Sequence, residues 1–225
     1  DDTAVAGLLR DEQSETDYCD EIENFCTYCI DSRLDLNVPK TKELVIDFRI
    51  IKEPLLPVII NGQQVKQLDL FKNLGTLFDD KLNFNGNTDS IVKKGSQRLY
   101  YLRKLKSFGV KQDVLVMVYE SIVLSVISNN AITWFGNLSI SNRNRLDRIT
   151  SQAQKIIGTK LETVSEVYQK ALVRKTNAVL KDETHPLHEN FVLMPSKRRY
   201  RAPLTRRDTF KYSFVPNAVR YLNSQ

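Results

Sequence analysis

Two adjacent carboxylates, Asp1 and Asp2, open the sequence. Hard divalent cations such as Mg²⁺ prefer carboxylate oxygens as ligands, and bound metal ions can stabilise the attacking and leaving oxygens of a phosphoryl transfer. These residue types therefore predict a metal site at Asp1 and Asp2. The alternative is a pair of solvated aspartates that binds nothing. Because a natural chain rarely begins with Asp-Asp, we expect this start to be an internal cut in a longer protein.

All three cysteines lie between Cys19 and Cys29. The spacing Cys26-x-x-Cys29 is half of many zinc sites, but a structural zinc site needs four ligands. The two histidines, His185 and His188, follow more than 150 residues later, so we expect the cysteines to pack in a core instead. An odd number of clustered thiols does not resemble a secreted disulfide framework, which predicts a reducing, intracellular compartment.

A strongly basic amphipathic segment begins near residue 91. Ile91, Gly95 and Leu99 recur at helical spacing and predict one apolar face, and the other positions are rich in lysine and arginine. Such a surface can contact nucleic-acid phosphates regardless of base sequence; the alternative is an ordinary solvated face. The candidate nucleic-acid-binding residues of this segment are Lys93, Lys94, Arg98, Arg103, Lys104 and Lys106.

The charge is distributed unevenly along the chain. Residues 1–36 hold eleven acidic and two basic residues, whereas residues 37–225 hold 31 basic and 16 acidic ones. A basic body suits a polyanionic partner, although uneven solvation of a surface produces the same pattern. The most apolar run, residues 114–127, is too short for a membrane span. We therefore expect a buried helix and no membrane partner.

The elements that position these residues predict an α+β fold class. Short antiparallel strands come first, a mainly α-helical bundle follows, and an irregular basic tail ends the chain. Asn61-Gly62 between two apolar runs predicts a tight turn, and Gly158 predicts the end of a helix. Helices are predicted over residues 15–30, from residue 87, and over 113–128, 142–157 and 164–180, and strands over 44–48, 57–60 and 68–71. The predicted domains are residues 1–86, 87–182 and 183–225.

Several strings in this sequence occur in the order found in the reverse transcriptases of LINE-type (non-LTR) retrotransposons, which the chain resembles over almost its whole length. Asp1-Asp2-Thr3-Ala4-Val5 looks like the catalytic tip of that family. The strings that continue the resemblance lie at residues 34–44, 70–75, 93–109, 132–137, 153–158, 185–188 and 197–201.

The resemblance implies a partial palm followed by a thumb-like helical bundle of an RNA-directed DNA polymerase. It implies that Asp1 and Asp2 hold Mg²⁺ in the intact enzyme, that Lys40 or Lys42 assists the departing pyrophosphate, and that Lys72 lies in a hairpin that holds the primer end. The implied partners are an RNA template and a DNA primer, with protein partners unknown. Because the fingers and most of the palm are missing from this sequence, we expect no catalysis by this chain alone.

Three further interpretations stay open. The alternatives to a polymerase fragment are a non-catalytic nucleic-acid-binding protein and a functionless transposon relic. The segment of residues 97–121 is also loosely similar to the segment that precedes the dioxygenase core of AlkB-type transfer-RNA modification proteins. Their iron site needs two histidines and a carboxylate, and Leu187 stands two residues after His185, so no His-x-Asp occurs here.

Overall fold

The computed structural model of the chain describes residues 3–50 and 54–225. These residues form two compact units. The first contains the described residues up to Phe71 together with Asp79–Lys81, and the second contains Lys72–Phe78 and Leu82–Gln225. The structure confirms the α+β class, because helices and short two-stranded sheets occur in separate parts of the chain. The predicted domain boundaries after residues 86 and 182 stay predictions.

The first unit is built around α1, Glu12–Asp31. Asp11 caps the helix, since its carboxylate accepts a hydrogen bond from the backbone N–H of Ser14 at 2.9 Å and the Ser14 hydroxyl accepts one from the Asp11 N–H; this reciprocal arrangement stabilises a helix start. The apolar face of α1 packs onto the short strands that follow. The buried core of the unit consists of Ile22, Cys26, Val38, Val58, Ile60 and Val65.

Four very short strands belong to this unit: β1 Lys42–Glu43, β2 Ile59–Ile60, β3 Gln63–Gln64 and β4 Lys66–Gln67. Strands β2 and β3 form an antiparallel hairpin, and β1 pairs with β4 in parallel. Asn61 and Gly62 connect the hairpin with φ values of 50° and 73°, which is the doubly left-handed turn that Asn-Gly favours. The predicted turn is therefore confirmed.

Two strand predictions need correction. The strand predicted over residues 44–48 is not one, because regular pairing is limited to Lys42–Glu43. The prediction over residues 68–71 is displaced, since β5 spans Leu70–Asn73 and forms a sheet with β6, Thr76–Asp79. Alternation of apolar residues indicates a strand, but it does not show which segment the strand pairs with. The predicted ends of a strand can therefore differ from the observed ones.

The second unit is helical. Its longest helices are α2, α6 and α7, and a chain of short helical pieces connects α2 to α6. The elements are α2 Asn85–Ser107, α3 Gln112–Val118, α4 Ser125–Ser128, α5 Ala131–Trp134, α6 Ile140–Ile157, α7 Val164–Lys181, α8 Asp208–Lys211 and α9 Phe214–Leu222, with a π-helical segment at Tyr119–Leu124 and 3-10 turns at Phe135–Asn137 and His188–Asn190.

Helices α2 and α6 run in the same direction and lie side by side. Asn142 Nδ2 donates to Asn85 Oδ1 at 2.7 Å near both N-termini, and Arg103 Nη2 donates to Gln152 Oε1 at 3.4 Å further along. The buried core around them includes the fully enclosed Leu99, Leu102, Leu115, Tyr119, Val123, Ile127, Trp134, Leu146 and Ile157. Burial of this much apolar surface is the main stabilising contribution to the unit.

The apolar stretch near the centre of the chain is longer than predicted. Gln112–Asn137 is a helical stretch that is long and apolar enough to cross a membrane by length and composition. Its largest side chains, including Tyr119 and Trp134, are buried inside the second unit, and Trp134 Nε1 donates to the carbonyl of Asn129 at 2.9 Å. The core helix of a soluble protein passes the same test of length and composition, and 28% of the apolar window is buried inside the chain.

The tail predicted to be irregular contains a helix. In this helix, α9, the side chains of Ala218 and Val219 are buried in the core of the second unit. Pro216 occupies the third position of α9, where the backbone N–H has no intrahelical acceptor in any case. The proline therefore costs this helix no hydrogen bond.

Candidate nucleic-acid interface

Helix α2 carries a row of exposed polar and aromatic side chains on one side. Lys93, Gln97, Tyr100 and Lys104 follow each other at spacings of four, three and four residues, which places them on one face of an α-helix. All four are exposed, and Tyr100 is 54% exposed. We call these four residues the α2 stripe.

The sequence around α2 explains why the stripe faces outward. Ile91, Leu99 and Leu102 bury the opposite side of the helix in the core. The helix ends at Ser107, and Gly109 follows with a left-handed φ of 75°. Gly109 N donates to the carbonyl of Lys106, and Val110 N donates to that of Leu105. This is a Schellman arrangement, which needs a residue without Cβ strain at that position.

The charge of α2 is almost entirely positive. The helix contains six basic residues and one acidic residue, Asp89, and Asp89 is paired with Arg145 of α6 at 2.7 Å. Lys104 Nζ lies 5.9 Å from the centre of the Tyr100 ring, and the Tyr100 and Tyr101 rings meet edge to face at 5.8 Å. Within the described part of the chain, Lys93 and Lys104 have no carboxylate partner, so their charges are available to a polyanion.

A cleft opens on another side of α2. It has a volume of about 270 Å³ and lies between α2, the β5–β6 turn and α4. We call it the α2–α4 cleft. The residues that line it are Gly75, Thr76, Asn87, Ser90, Ile91, Lys94, Arg98, Ser125, Val126 and Asn129.

Side chains from three segments hold the walls of this cleft in place. Arg98 Nη1 donates to the carbonyl of Ile122 in the π-helical segment. Asn130 Nδ2 donates to Thr76 Oγ1 at 3.2 Å. Asn87 is 2% exposed and its Oδ1 accepts a hydrogen bond from Leu77 N at 3.1 Å. Together these bonds connect α2 to β6 and to the π-helical segment, and β6 to Asn130.

The structure separates the predicted nucleic-acid-binding residues into different surfaces. Lys93 and Lys104 belong to the α2 stripe, whereas Lys94 and Arg98 are half-buried and line the α2–α4 cleft. The remaining three are exposed: Arg103 and Lys106 near the C-terminal end of α2, and Lys72 in β5. Their roles in binding stay predictions.

The predicted catalytic residues lie outside the second unit or outside the described residues. Asp1 and Asp2, also the predicted metal ligands, lie outside the described residues, so Mg²⁺ binding there stays a prediction. Lys40 and Lys42 belong to the first unit. The Lys40 side chain is exposed, and Lys42 Nζ donates to the carbonyl of Pro39. The roles of these lysines also stay predictions.

The cysteines pack as expected for core residues. Cys26 and Cys29 are buried on the inner face of α1, and Cys19 is half-buried. Burial raises the pKa of the Cys26 thiol, with smaller contributions from Cys29 and Glu23. A thiol with a raised pKa is a weaker nucleophile at neutral pH, because less of it is thiolate.

Sequence reasoning missed the polar residues that accompany Lys94 and Arg98. Asn87 and Ser90 precede Lys94 at helical spacing on the same face of α2, which is a signal that the sequence contains. Ser125 begins α4 and Asn129 directly follows that helix, and no local pattern indicates that they line a cleft with α2.

Comparison with known proteins gives one local similarity. A family model described as "Alkylated DNA repair protein alkB homolog 8, N-terminal" matches residues 84–125, which run from the start of α2 to the start of α4. The match covers less than half of the chain, so it describes this segment and not the whole protein. No curated protein matches the chain, and no solved structure matches it.

This finding corrects the family prediction. The matching model is not a reverse transcriptase family, so the predicted assignment to LINE-type retrotransposon reverse transcriptases is wrong, together with the palm, thumb and polymerase activity that it implied. The string at residues 93–109 lies mostly in the basic amphipathic helix α2, and any such helix shares its pattern of apolar and basic residues. That string therefore does not identify a family.

Proposed function

We propose that the second unit binds single-stranded nucleic acid through the α2 stripe. The observation that supports this is the exposed row of Lys93, Gln97, Tyr100 and Lys104 on a helix whose only carboxylate, Asp89, is already paired with Arg145. The lysines attract phosphates, and an exposed tyrosine ring offers a surface for base stacking. The family matched by residues 84–125 is named after a DNA repair protein, and a nucleic-acid ligand agrees with that name.

The length of the stripe suits a strand of several nucleotides. Lys93 and Lys104 are eleven residues apart, which corresponds to roughly 16 Å along a helix axis. The two lysines are therefore far enough apart to contact different phosphates of one strand. The protein would contact the phosphate backbone and the faces of the bases, which predicts that affinity depends only weakly on base sequence.

Fluorescence anisotropy with labelled oligo-dT and oligo-rU tests the contribution of charge. The variant Lys93→Gln/Lys104→Gln removes two charges from the stripe, and the control Lys160→Gln/Lys181→Gln removes two exposed charges elsewhere in the same unit. We expect the stripe variant to bind more weakly, with a slope of log K against log salt that is smaller by roughly 1.4, or about 0.7 per lost contact. The control should match the wild type.

The aromatic contribution needs its own pair of variants. Removal of a stacking ring costs about 1–3 kcal/mol per base, so Tyr100→Ala should weaken binding about fivefold or more, whereas Tyr100→Phe should retain most of the affinity. Absence of salt-dependent binding by the wild type, or an equal loss in the stripe variant and the control, would contradict the proposed function.

A further inference from the structure

The α2–α4 cleft has the composition of an anion site. Two of its lining side chains, Lys94 and Arg98, are cationic, and none is acidic. Thr76 and Ser90 add hydroxyl groups, whereas the Ser125 hydroxyl already donates to the carbonyl of Ser121 at 2.6 Å. Charged and hydroxyl donors that converge on one small space form short, strong hydrogen bonds to an oxyanion. A cleft of about 270 Å³ is smaller than the pockets that hold drug-sized ligands, so the ligand must be a small group.

A buried donor in the same place has no partner. Asn87 lines the cleft, and its Nδ2 is buried without a hydrogen-bond acceptor among the described residues. The orientation of this amide follows from the bond that Leu77 N donates to Asn87 Oδ1, since a backbone N–H requires an oxygen acceptor. Buried polar groups are nearly always satisfied in folded proteins, so an acceptor supplied from outside the chain would complete this site.

The two cations of the cleft lie on the same face of α2. Lys94 and Arg98 are four residues apart on α2, a spacing at which like charges repel. Arg98 is fixed, because its Nη1 donates to the carbonyl of Ile122 in the π-helical segment Tyr119–Leu124. Lys94 has no acidic partner within the part of the chain that the structure describes. An anion between the two side chains would attract both of them and offset their mutual repulsion.

We propose that the α2–α4 cleft binds a phosphate group, held by Lys94 and Arg98 with Asn87 Nδ2 as an additional donor. This site is separate from the α2 stripe, because Lys94 and Lys93 leave the helix on different sides, and it does not depend on the proposed function. Inorganic phosphate and the terminal phosphate of a nucleic acid share the chemistry that the cleft recognises.

Titration of the full chain with inorganic phosphate, against chloride at equal ionic strength, tests the site. The readouts are the NMR signals of the Asn87 side-chain amide and of the Ser90 and Lys94 backbone amides, together with the melting temperature, because a ligand that binds the native state raises it. We expect saturable shifts with phosphate. Lys94→Gln should weaken phosphate binding about tenfold or more, since hydrogen bonds to charged groups are the stronger ones.

The neighbouring residue provides a matched control. Lys93→Gln makes the same chemical change on the outward side of α2 and should leave phosphate affinity unchanged. Asn87→Asp keeps the acceptor for Leu77 N, removes the Nδ2 donor and adds a negative charge, so it should abolish phosphate binding. If Asn87→Asp does not fold, the comparison of Lys94→Gln with Lys93→Gln still decides the matter.

Oligonucleotides with a 5′-phosphate or a 5′-hydroxyl distinguish the two sources of the group. Tighter binding of the phosphorylated strand that is lost in Lys94→Gln supports the phosphate site and assigns the bound group to a strand terminus. Equal binding of the two strands, together with saturable binding of inorganic phosphate, supports the phosphate site and assigns the bound group to the free ion. Shifts with inorganic phosphate no larger than those with chloride, or equal losses of inorganic-phosphate affinity in Lys94→Gln and Lys93→Gln, overturn the proposal. The variant Lys93→Gln/Lys104→Gln separates this result from the stripe, because it should lose oligonucleotide affinity and keep phosphate affinity.

Discussion

Gly95 of α2 lies directly against Ile149 of α6. A Cβ atom at position 95 would come within 2.9 Å of Ile149 Cδ1 and 3.3 Å of Ile149 Cγ2. Glycine inside a helix costs about 1 kcal/mol relative to alanine. At this position that cost accompanies the close approach of two parallel helices, which a larger side chain would prevent. The same approach fixes the side of α2 that faces the core and therefore the side that carries the α2 stripe.

A larger residue at position 95 should separate these helices. We expect Gly95→Leu to lower the free energy of unfolding by about 1–3 kcal/mol, the usual cost of overpacking a core. Ser96→Leu adds the same side chain at the next, exposed position and should change stability little. Urea unfolding followed by circular dichroism measures both. Equal stability of the two variants would show that the contact with Ile149 does not limit residue size.

Helix α9 should contribute to the stability of the second unit. Val219 is 1% exposed and belongs to the core of that unit. Val219→Asp would bury an unpaired charge, and we expect a loss of about 3–5 kcal/mol in the free energy of unfolding. Ser224→Asp, an exposed change just beyond the same helix, serves as the control. A Val219→Asp variant with the stability of the control would mean that α9 is not packed in solution.

The start of α7 should be sensitive to acid. Hydrogen bonds from the Thr163 backbone N–H at 2.7 Å and the Thr163 hydroxyl at 3.0 Å to the Glu166 carboxylate lower its pKa from the ordinary value of 4.5. A carboxyl group whose folded pKa is lowered stabilises the folded state above its unfolded pKa, and this contribution is lost as the pH falls through the folded pKa. The Glu166 contribution should therefore be complete above about pH 4.5 and decline below it.

The variant Thr163→Ala tests this cap. It removes the hydroxyl and keeps the backbone donor, so the pKa of Glu166 should rise only part of the way towards 4.5. The lost cap should lower the free energy of unfolding at neutral pH by about 1 kcal/mol. NMR titration of the Glu166 side chain and urea unfolding at two pH values provide the measurements. An unchanged Glu166 pKa would mean that the hydroxyl bond is absent in solution.

Much of the fold was predictable because it depends on local patterns. The spacing of Leu146, Ile149, Ala153 and Ile157 indicated α6, and Gly158 ends it with a φ of 83°. Such predictions succeed because apolar periodicity and left-handed glycine positions are properties of neighbouring residues. The helix at Phe214–Leu222 was missed because the sequence rule that prolines end helices has an exception in the first turn, where Pro216 stands.

The candidate surfaces were predictable only in part. Sequence alone indicated a basic helix and named its lysines and arginines, but it did not separate the α2 stripe from the α2–α4 cleft. That separation requires Ser125 and Asn129 to meet Lys94, and those residues are about thirty positions apart in the chain. One of the strings behind the predicted family, residues 93–109, lies mostly in α2, and its pattern of apolar and basic residues is common to basic amphipathic helices.

By itself, the sequence determined the α+β class, the positions of the long helices and the cationic character of α2, because each depends on residues within a few turns of one another. Only the tertiary structure decided which of those cations face solvent and which line a cleft beside an unpaired Asn87 amide. That decision depends on packing between distant segments, and the pairing of α2 with α6 through Gly95 and Ile149 is the contact that sets it.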